Sequence, residues 1–268
     1  MPKVIVCGRG GSGKSSFVSL LAGELANRET VLVVDADESN LGLNVMLGLE
    51  PPTRTLMDFL GGKPAVRQKL LALLRGEGSE DLQLFEGSLE LGSLPEDFKS
   101  GGGQLTLVRV GKIEHSMEGC ACPMGVVARS FLKQITADNG LWVLVDTEAG
   151  VEHFGRGILE GADYILVTVD PSQEAVAIAE KACGLAKEAG KACGIVMNKV
   201  DGETEPLLKE KLMQRSLSPL GSIPLSAIVS RANLLGDPLA DESMREELRQ
   251  ILVSVATSLR NDSSRRRQ

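Results

Sequence analysis

The sequence lacks an excess of positive charge and any long apolar run. Its net charge is −7, which argues against nonspecific binding to nucleic acid or anionic lipid because both need positive potential. No apolar run approaches the length of a membrane span, and the apolar stretch at the start is too short for a secretion signal. We therefore expect a cytoplasmic protein that acts on small ligands or other proteins, with no nucleic-acid and no membrane partner.

Cysteine is also scarce, and its number is odd: five in 268 residues. Cys7, Cys183 and Cys193 lie in apolar or small-residue stretches, where a reduced thiol behaves as a small hydrophobic side chain. The other two, Cys120 and Cys122, are separated by a single residue in the stretch EGCACPMG. A disulfide framework is therefore not expected, and the close pair needs a different explanation.

The chain does have a repeated alternation of apolar strands and amphipathic helices. Five runs rich in Val, Ile and Leu are predicted strands: KVIVCG, TVLVVDAD, LWVLVDTEAG, YILVTVD and CGIVMNKVD. Continuous apolar strands that alternate with helices indicate a parallel sheet covered on both faces. We predict a single doubly wound α/β domain, with a mostly parallel sheet, over residues 1–262 and a disordered tail over 263–268.

Two parts of the chain depart from this alternation. Between Pro51 and Gly119 it weakens, and Gly-rich breaks precede a strand-like run, LTLVRVG, so we interpret this part as an elaboration of the domain that ends at the cysteines. Near the end of the chain, an apolar stripe with an acidic flank predicts a helix that docks on the core rather than on a membrane. The stripe consists of Leu248, Ile251, Leu252, Val255 and Leu259.

The stretch GRGGSGKSS, from Gly8 to Ser16, has the pattern of a phosphate-binding loop. It follows a strand and opens a helix, so that glycine lets backbone N–H groups turn towards phosphate and the helix N-terminus adds its positive dipole end. Lys14 is predicted to reach the β- and γ-phosphates, and Ser15 to ligate Mg²⁺. The other predicted nucleotide contacts in this loop are Gly8, Gly10, Gly11, Ser12, Gly13 and Ser16.

Arg9 adds a second cation to this loop. An additional basic residue at this place points to the deviant class of phosphate-loop proteins that dimerise over nucleotide, in which it crosses to the partner subunit's phosphates. Those proteins usually carry lysine there, and Arg9 keeps the charge while adding a planar fork. We predict a catalytic role for Arg9 across a dimer interface. The alternative is a solvated surface arginine.

Acidic residues at two strand ends complete the predicted nucleotide site. Asp35 and Asp37 share one strand face, where they could hold Mg²⁺ through water and orient the attacking water. Asp146 ends another apolar strand and is suited to bind the metal's water shell, and the Gly150 N–H could sense the γ-phosphate. Both clusters lie where an open α/β sheet places its ligand crevice.

The stretch CGIVMNKVD bears on the nucleotide base. Asn198 and Lys199 come at the end of a buried strand, and Asn198 could hydrogen-bond the base edge. Asn-Lys-x-Asp is also the pattern with which GTPases read guanine through the Asp carboxylate, here Asp201, so ATP and GTP both stay open on these residues. Further along, Pro224 precedes a helix-like run that we interpret as a loop over the base.

The close cysteine pair has the chemistry of half a metal site. Cys120 and Cys122 can point to one side of an extended segment. Thiolates prefer soft or borderline metals, and a closed zinc site normally has four protein ligands. Because one chain supplies two, a nucleotide-sandwich dimer would give four sulfurs across its two-fold axis. His115 is another candidate ligand, with Met117 and Glu118 less favoured, and two inert thiols are the alternative to any metal site.

These motifs together carry a specific resemblance. GRGGSGKSS, VDADESNL, GCACPMG and above all VDTEAGVEHFGRG resemble the nickel-insertion accessory ATPases of carbon monoxide dehydrogenase, the CooC type. That type lies within the MinD-like (SIMIBI) deviant Walker group of P-loop NTPases. The resemblance implies an ATPase that forms a homodimer on nucleotide, binds Ni²⁺ or Zn²⁺ through two Cys-x-Cys motifs, and assists nickel insertion into the dehydrogenase.

The resemblance also implies residue roles and leaves two rival functions. The segment from Glu148 to Gly157 resembles switch II, which connects the nucleotide state to the interface. In the nucleotide site, the resemblance implies that Lys14 and Ser15 bind phosphate and Mg²⁺, that Asp37 positions water and that Asp146 is the Walker B acid. It also implies that Cys120 and Cys122 bind the transported metal. A partition or septum-site ATPase would act instead through a membrane-tip helix or a basic DNA-binding face. An iron–sulfur carrier ATPase would draw its ligands from widely separated cysteines.

Overall fold

The computed structural model describes residues 1–75, 84–85, 87–112, 122–136, 140–151, 154 and 157–265 of the chain. Its strands are β1 Lys3–Gly8, β2 Thr30–Ala36, β3 Leu89–Glu90, β4 Lys99–Gly102, β5 Leu105–Arg109, β6 Ile135–Thr136, β7 Leu141–Thr147, β8 Tyr164–Val169, β9 Ala192–Val200 and β10 Pro219–Pro224. Its helices are α1 Lys14–Leu25, α2 Leu43–Met46, α3 Leu56–Phe59, α4 Gly62–Leu74, α5 Cys122–Gln134, α6 Gln173–Glu188, α7 Thr204–Met213, α8 Ala227–Leu235 and α9 Arg245–Arg265.

Eight of these strands form one sheet in the order β10-β9-β8-β1-β7-β2-β5-β4. β4 runs antiparallel to β5, and the other neighbouring pairs are parallel. The five predicted strands are β1, β2, β7, β8 and β9, which form the middle of this sheet. The predicted fold class, a doubly wound and mostly parallel α/β sheet, is confirmed.

Alternate residues along the strands face opposite sides of the sheet, so the protein has two apolar cores. On one side α1, α2 and α9 cover the sheet, and the predicted stripe of α9 docks there as expected: Leu248, Ile251 and Val255 are buried, and Leu252 and Leu259 pack against them. On the other side α5, α6 and α7 cover the sheet, with Phe131, Val176 and Leu208 among the buried side chains. Helices therefore lie on both faces.

Two parts of the chain differ from the sequence-based interpretation. The region between Pro51 and Gly119 contributes β5 to the main sheet, where it pairs with β2 in parallel, so this region is partly framework rather than elaboration alone. At the other end, α9 continues to Arg265 and so includes the first three residues of the predicted tail. β10, which pairs with β9 at one edge of the sheet, was not predicted.

Two further observations concern composition. Within the described part of the chain, none of the helices is both long and apolar enough to cross a membrane. Cys7, Cys183 and Cys193 are present as thiols rather than in disulfides, with Cys7 buried.

Candidate functional site

The site lies at the carboxyl edge of the parallel sheet, beside its central strand. β1 lies between β8 and β7, and the chain returns to the sheet on opposite sides of β1, which makes this the switch point where open α/β sheets bind ligands. The loop after β1 leads directly into α1. The structure brings the predicted residues of four segments to this edge: Gly8–Ser16, Asp35 and Asp37, Asp146 and Gly150, and Asn198 and Lys199.

The phosphate loop depends on glycine where the backbone of the next segment approaches it. Gly13, which precedes α1, has a φ of 85°, a left-handed conformation that glycine adopts without strain. A Cβ at Gly13 would lie 2.6 Å from Asn198 Nδ2. Asn198 Nδ2 donates to the Ser12 carbonyl at 2.7 Å, and Lys199 Nζ donates to the Gly11 carbonyl at 2.8 Å. The end of β9 thus holds the phosphate loop, while the predicted contact of Asn198 with a base stays a prediction.

Asp201, on which the choice of base depends, accepts hydrogen bonds within the turn that leads into α7. Its Oδ1 accepts from the backbone N–H groups of Glu203 and Thr204 and from the Thr204 hydroxyl, at 3.1, 2.8 and 2.7 Å. These hydrogen bonds, led by the one from the Thr204 backbone, lower the pKa of Asp201. Stabilising this turn by hydrogen bonds to its own backbone is a common role of aspartate and a sufficient structural reason for the residue.

Ser15, Asn40 and Asp146 form a compact polar cluster below the phosphate loop. Ser15 Oγ donates to Asp146 Oδ2 at 2.6 Å, and Asn40 Nδ2 donates to Ser15 Oγ at 2.8 Å and to Asp146 Oδ2 at 3.1 Å. Asp146 is fully buried, and burial raises its pKa to about 7. Its Oδ1 is buried and, among the described residues, has no hydrogen-bond donor.

This cluster fits Mg²⁺. Magnesium takes hard oxygen ligands, and the Ser15 hydroxyl and Asp146 carboxylate are of that kind. A buried carboxylate oxygen that lacks a donor is costly when ionised, and a bound cation would remove that cost. Asn40 belongs to the cluster although sequence reasoning missed it. It stands within the quoted run VDADESN, but an asparagine after a strand has no distinctive spacing of its own.

A second buried carboxylate, Asp35, has cations beside Oδ2, whereas its Oδ1 has no hydrogen-bond donor among the described residues. Lys112 Nζ lies 2.7 Å from Asp35 Oδ2, and Arg109 Nε lies 3.6 Å from the same oxygen. Burial is the main influence on Asp35 and raises its pKa, while Lys112 opposes that shift. The predicted role of Asp35 in holding the water shell of Mg²⁺ stays a prediction, and Lys112 is a neighbour that the sequence did not reveal.

Asp37 and Lys14 each make hydrogen bonds within the chain. Asp37 follows β2, and its Oδ1 accepts from the Ser39 backbone N–H at 2.9 Å and from the Ser39 hydroxyl at 2.7 Å. Lys14 is largely buried at the first turn of α1, and its Nζ donates to the Arg9 carbonyl at 3.3 Å. Their contacts with water and phosphate stay predictions.

Arg9 binds carboxylates of its own chain. Its guanidinium grips Asp170 with two hydrogen bonds, at 2.6 Å from Nη2 and 3.2 Å from Nε, and Nη1 lies 3.6 Å from Glu174. Asp170 follows β8, so this ion pair joins the phosphate loop to the start of α6. The predicted contact of Arg9 with a partner subunit stays a prediction. Gly150 likewise uses its N–H within the chain, donating to the Gly8 carbonyl at 3.0 Å.

The cysteine pair is only partly within the described structure. Cys122 is the first residue of α5, whereas the spacing argument assumed an extended segment through both cysteines. Cys120, His115, Met117 and Glu118 lie outside the described residues. Over the ranges that the structure describes, His, Cys, Asp and Glu form no group of three or more that could hold a metal ion.

The fold and the nucleotide cluster define a phosphate-loop nucleotide-binding protein of the doubly wound α/β type. The family profile of the CobQ/CobB/MinD/ParA nucleotide binding domain matches residues 3–239. The chain therefore belongs to this family of nucleotide-binding domains, and it is an ATPase of the MinD/ParA type.

Two curated relatives resemble the chain over most of their length. An uncharacterized ATP-binding protein of Methanocaldococcus jannaschii is 38% identical over 241 residues, which is 90% of this chain and 94% of that protein. The carbon monoxide dehydrogenase accessory protein CooC of Rhodospirillum rubrum is 30% identical over 238 residues, 87% of this chain and 88% of that protein.

Solved structures show the same fold at lower identity. The septum site-determining protein MinD of Pyrococcus horikoshii, complexed with Mg-ADP, aligns with a TM-score of 0.66 at 19% identity, over 95% of this chain and 96% of that one. The cell division ATPase MinD of Pyrococcus furiosus aligns with a TM-score of 0.63 at 18% identity, over 96% and 99%. The likeness supports the fold alone.

Proposed function

We propose that this ATPase is a metallochaperone that dimerises on nucleotide and binds Ni²⁺ or Zn²⁺ through Cys120 and Cys122 of two chains. Its client in this proposal is a carbon monoxide dehydrogenase, whose nickel insertion it assists. The similarity to CooC, together with the Cys-x-Cys pair, supports this function over the rest of the family. The cytoplasmic location expected from the sequence stays a prediction.

The observation that carries the proposal is where the cysteine segment is attached. The described structure ends at Lys112, whose Nζ contacts Asp35 and the carbonyl of Asp37, and it resumes at Cys122. The two ends are adjacent, since a Cβ at Gly111 would lie 3.5 Å from the Met124 side chain. A segment anchored in this way joins the chain at the nucleotide edge of the sheet, where a change of nucleotide can reach it.

A second connection runs through α5, which begins at Cys122. Near its other end, Lys133 Nζ lies 2.6 Å from Glu160 Oε2, and Arg129 Nη1 lies 3.2 Å from Glu160 Oε1. Glu160 belongs to a short 3₁₀ turn that follows the segment predicted to be switch II. Through these ion pairs, a nucleotide-dependent movement of the predicted switch II segment would be passed to α5, the helix that begins at Cys122.

In this proposal the chain's own residues bind and orient ATP. Lys14 and the N–H groups of the phosphate loop hold the phosphates, Ser15 and Asp146 hold Mg²⁺, and Asp37 orients the attacking water. Bound Mg²⁺ supplies charge neutralisation at the phosphate oxygens. The similarity to ATP-binding proteins supports ATP over GTP, and the three hydrogen bonds that Asp201 Oδ1 accepts within the chain leave one oxygen of this carboxylate for any contact with a base.

The proposal is tested by anaerobic metal analysis on protein of known oligomeric state. We expect one metal per two chains, because each cysteine pair offers two thiolates and a closed site needs about four donors. Bound Ni²⁺ should show a thiolate charge-transfer band. Square-planar geometry would identify nickel as the preferred metal and tetrahedral geometry zinc.

Matched cysteine variants make this test specific. Cys120→Ser, Cys122→Ser should abolish tight binding, whereas Cys183→Ser, Cys193→Ser removes two thiols elsewhere in the fold and should leave binding intact. Tight binding by the first double variant would refute the metal site. A brown chromophore after anaerobic purification would instead favour the iron–sulfur carrier.

A further inference from the structure

Lys112 lies outside the nucleotide-binding motifs, yet its ammonium group is buried against the loop after β2. The Lys112 side chain is 6% exposed. Besides its ion pair with Asp35, Nζ donates to the carbonyl of Asp37 at 2.5 Å and to the carbonyl of Asn40. An ammonium group has three N–H donors, and Lys112 directs two of them to these carbonyls while Asp35 Oδ2 lies 2.7 Å away as its ion-pair partner.

The loop that Lys112 holds carries two residues of the site. Asp37 is predicted to orient water, and Asn40 binds the side chains of Ser15 and Asp146. Asn40 Oδ1 also accepts from the Gly42 backbone N–H at 2.9 Å, which fixes the direction of its amide. Any displacement of the loop backbone would therefore move both functional side chains relative to the phosphate loop.

We propose that Lys112 is a positioning residue for ATP hydrolysis. Through the carbonyls of Asp37 and Asn40 it fixes the loop against the sheet, and so it sets the place of the Asp37 carboxylate and the Asn40 amide. Hydrogen bonds from an ammonium group are charge-assisted and stronger than those between neutral groups, so such a contact restrains a loop well.

Neutralising Asp35 is the other role that Lys112 could have, and the surroundings argue that it is the lesser one. Arg109 Nε already lies 3.6 Å from Asp35 Oδ2, so that carboxylate keeps a cation nearby when Lys112 is replaced. Arg109 is itself directed by a hydrogen bond from Nη2 to Asn44 Oδ1 at 2.6 Å, on α2. The two roles can be separated because they use different acceptors.

The first test replaces Lys112 by Met, which keeps the length of the side chain and removes its donors. We expect kcat for ATP to fall by about 10- to 100-fold, since a misplacement of about 1 Å can cost a factor of 100. The KM for ATP and the affinity for a fluorescent ATP analogue should change little, because the phosphate loop is untouched. Lys112→Arg keeps the charge but not the geometry, and its kcat should be intermediate.

Lys3→Met is the matched control. Lys3 is a half-buried lysine at the start of β1, so it lies at the amino end of the parallel strands, away from the nucleotide site. Its Nζ donates to the Leu132 carbonyl. This variant should lose thermal stability while keeping the parent kcat. An equal fall of kcat in Lys3→Met and Lys112→Met would overturn the proposal.

The double variant Asp35→Asn, Lys112→Met decides between the two roles. With Asp35 neutral no counter-ion is needed, but the carbonyls of Asp37 and Asn40 still lack their donor, so kcat should stay well below that of Asp35→Asn alone, which carries any loss from the predicted Mg²⁺ role of Asp35. A kcat in the double variant equal to that of Asp35→Asn would overturn the proposal. A parent-like kcat in Lys112→Met or in Lys112→Arg would do the same. Because Lys112→Arg keeps the buried charge, it provides the readout if Lys112→Met does not fold.

Discussion

At the scale of single residues, the site contains two buried carboxylates that differ in the side chains that contact them. Asp35 and Asp146 are register partners on neighbouring strands, and burial raises the pKa of each. Lys112 forms an ion pair with Asp35 Oδ2, whereas the uncharged side chains of Ser15 and Asn40 bind Asp146 Oδ2; Oδ1 of both carboxylates has no hydrogen-bond donor among the described residues. The sequence identified both acids from their places at strand ends. It could not distinguish them, because the difference depends on Lys112, which follows β5 and is distant in the chain.

Asp146 should make the stability of the metal-free protein fall as pH rises. Its pKa is about 7 in the folded state against an ordinary value of 3.8. Between these values the folded state binds more protons than the unfolded state, so the free energy of unfolding decreases with increasing pH. Thermal unfolding in EDTA from pH 5 to pH 8 measures this slope. Asp146→Asn should show a shallower slope and a higher melting temperature at pH 8; equal slopes would contradict the account.

Arg9 should matter for turnover far more than for nucleotide binding. If it neutralises charge on the transferred phosphoryl group of a partner subunit, Arg9→Ala should lower kcat by a factor of about 10³–10⁵, as for arginine fingers elsewhere. Arg9→Lys should keep part of the activity, since the charge remains while the two-pronged contact is lost. Steady-state ATPase assays with each variant provide the comparison.

A mixing experiment tests whether Arg9 acts between subunits. Arg9→Ala and Lys14→Ala chains are each expected to be inactive alone, but a mixed dimer contains one site with an intact Lys14 and a donated Arg9. Activity should therefore reappear on mixing. Hydrolysis by Arg9→Ala at the parent rate would show that the ion pair with Asp170 is the whole role of Arg9.

At the scale of helices and strands, apolar content predicted the five strands in the middle of the sheet and the strand-like run that forms β5, but not the edge strands β4 and β10. The five Val-, Ile- and Leu-rich runs are buried on both faces, so composition alone reveals them. β10 has the sequence PLGSIP, and a strand with two prolines and a glycine is tolerated because it pairs on one side only. The start of α5 at Cys122 was also missed, since a short run of cysteine, alanine and glycine has no helical period.

The helix α9 should stabilise this irregular edge. Ile251 is fully buried, and a Cβ at Gly221 of β10 would lie 3.2 Å from the Ile251 side chain. Ile251→Ala should lower the free energy of unfolding by about 2–5 kcal/mol, the usual cost of such a truncation in a core. Val253→Ala, at a position 63% exposed on the same helix, is the control and should have little effect. Urea denaturation of both variants gives the values, and equal losses would show that α9 is not docked here.

At the scale of the whole molecule, the proposed metal binding and the proposed role of Arg9 in ATP hydrolysis both require a second copy of the chain. One cysteine pair supplies half of the proposed metal site, and the predicted contact of Arg9 with a partner's phosphates requires an interface between two copies. Relatives that act in septum placement or partition share the fold, so the fold does not choose among these functions. Co-sedimentation with anionic vesicles and with DNA separates them: the metallochaperone account predicts that neither is bound, and binding to either would favour the rival.

The most direct test of the central claim is the affinity for Ni²⁺ with and without a non-hydrolysable ATP analogue, measured together with the sedimentation coefficient. If metal and nucleotide both favour the dimer, each should raise the apparent affinity of the other by the same factor. Coupling of about 1–3 kcal/mol corresponds to a five- to 150-fold change. The account predicts that change, with dimers most abundant when both ligands are present. A metal affinity that the nucleotide leaves unchanged, together with a monomer in the presence of metal, of nucleotide, of both and of neither, would contradict it.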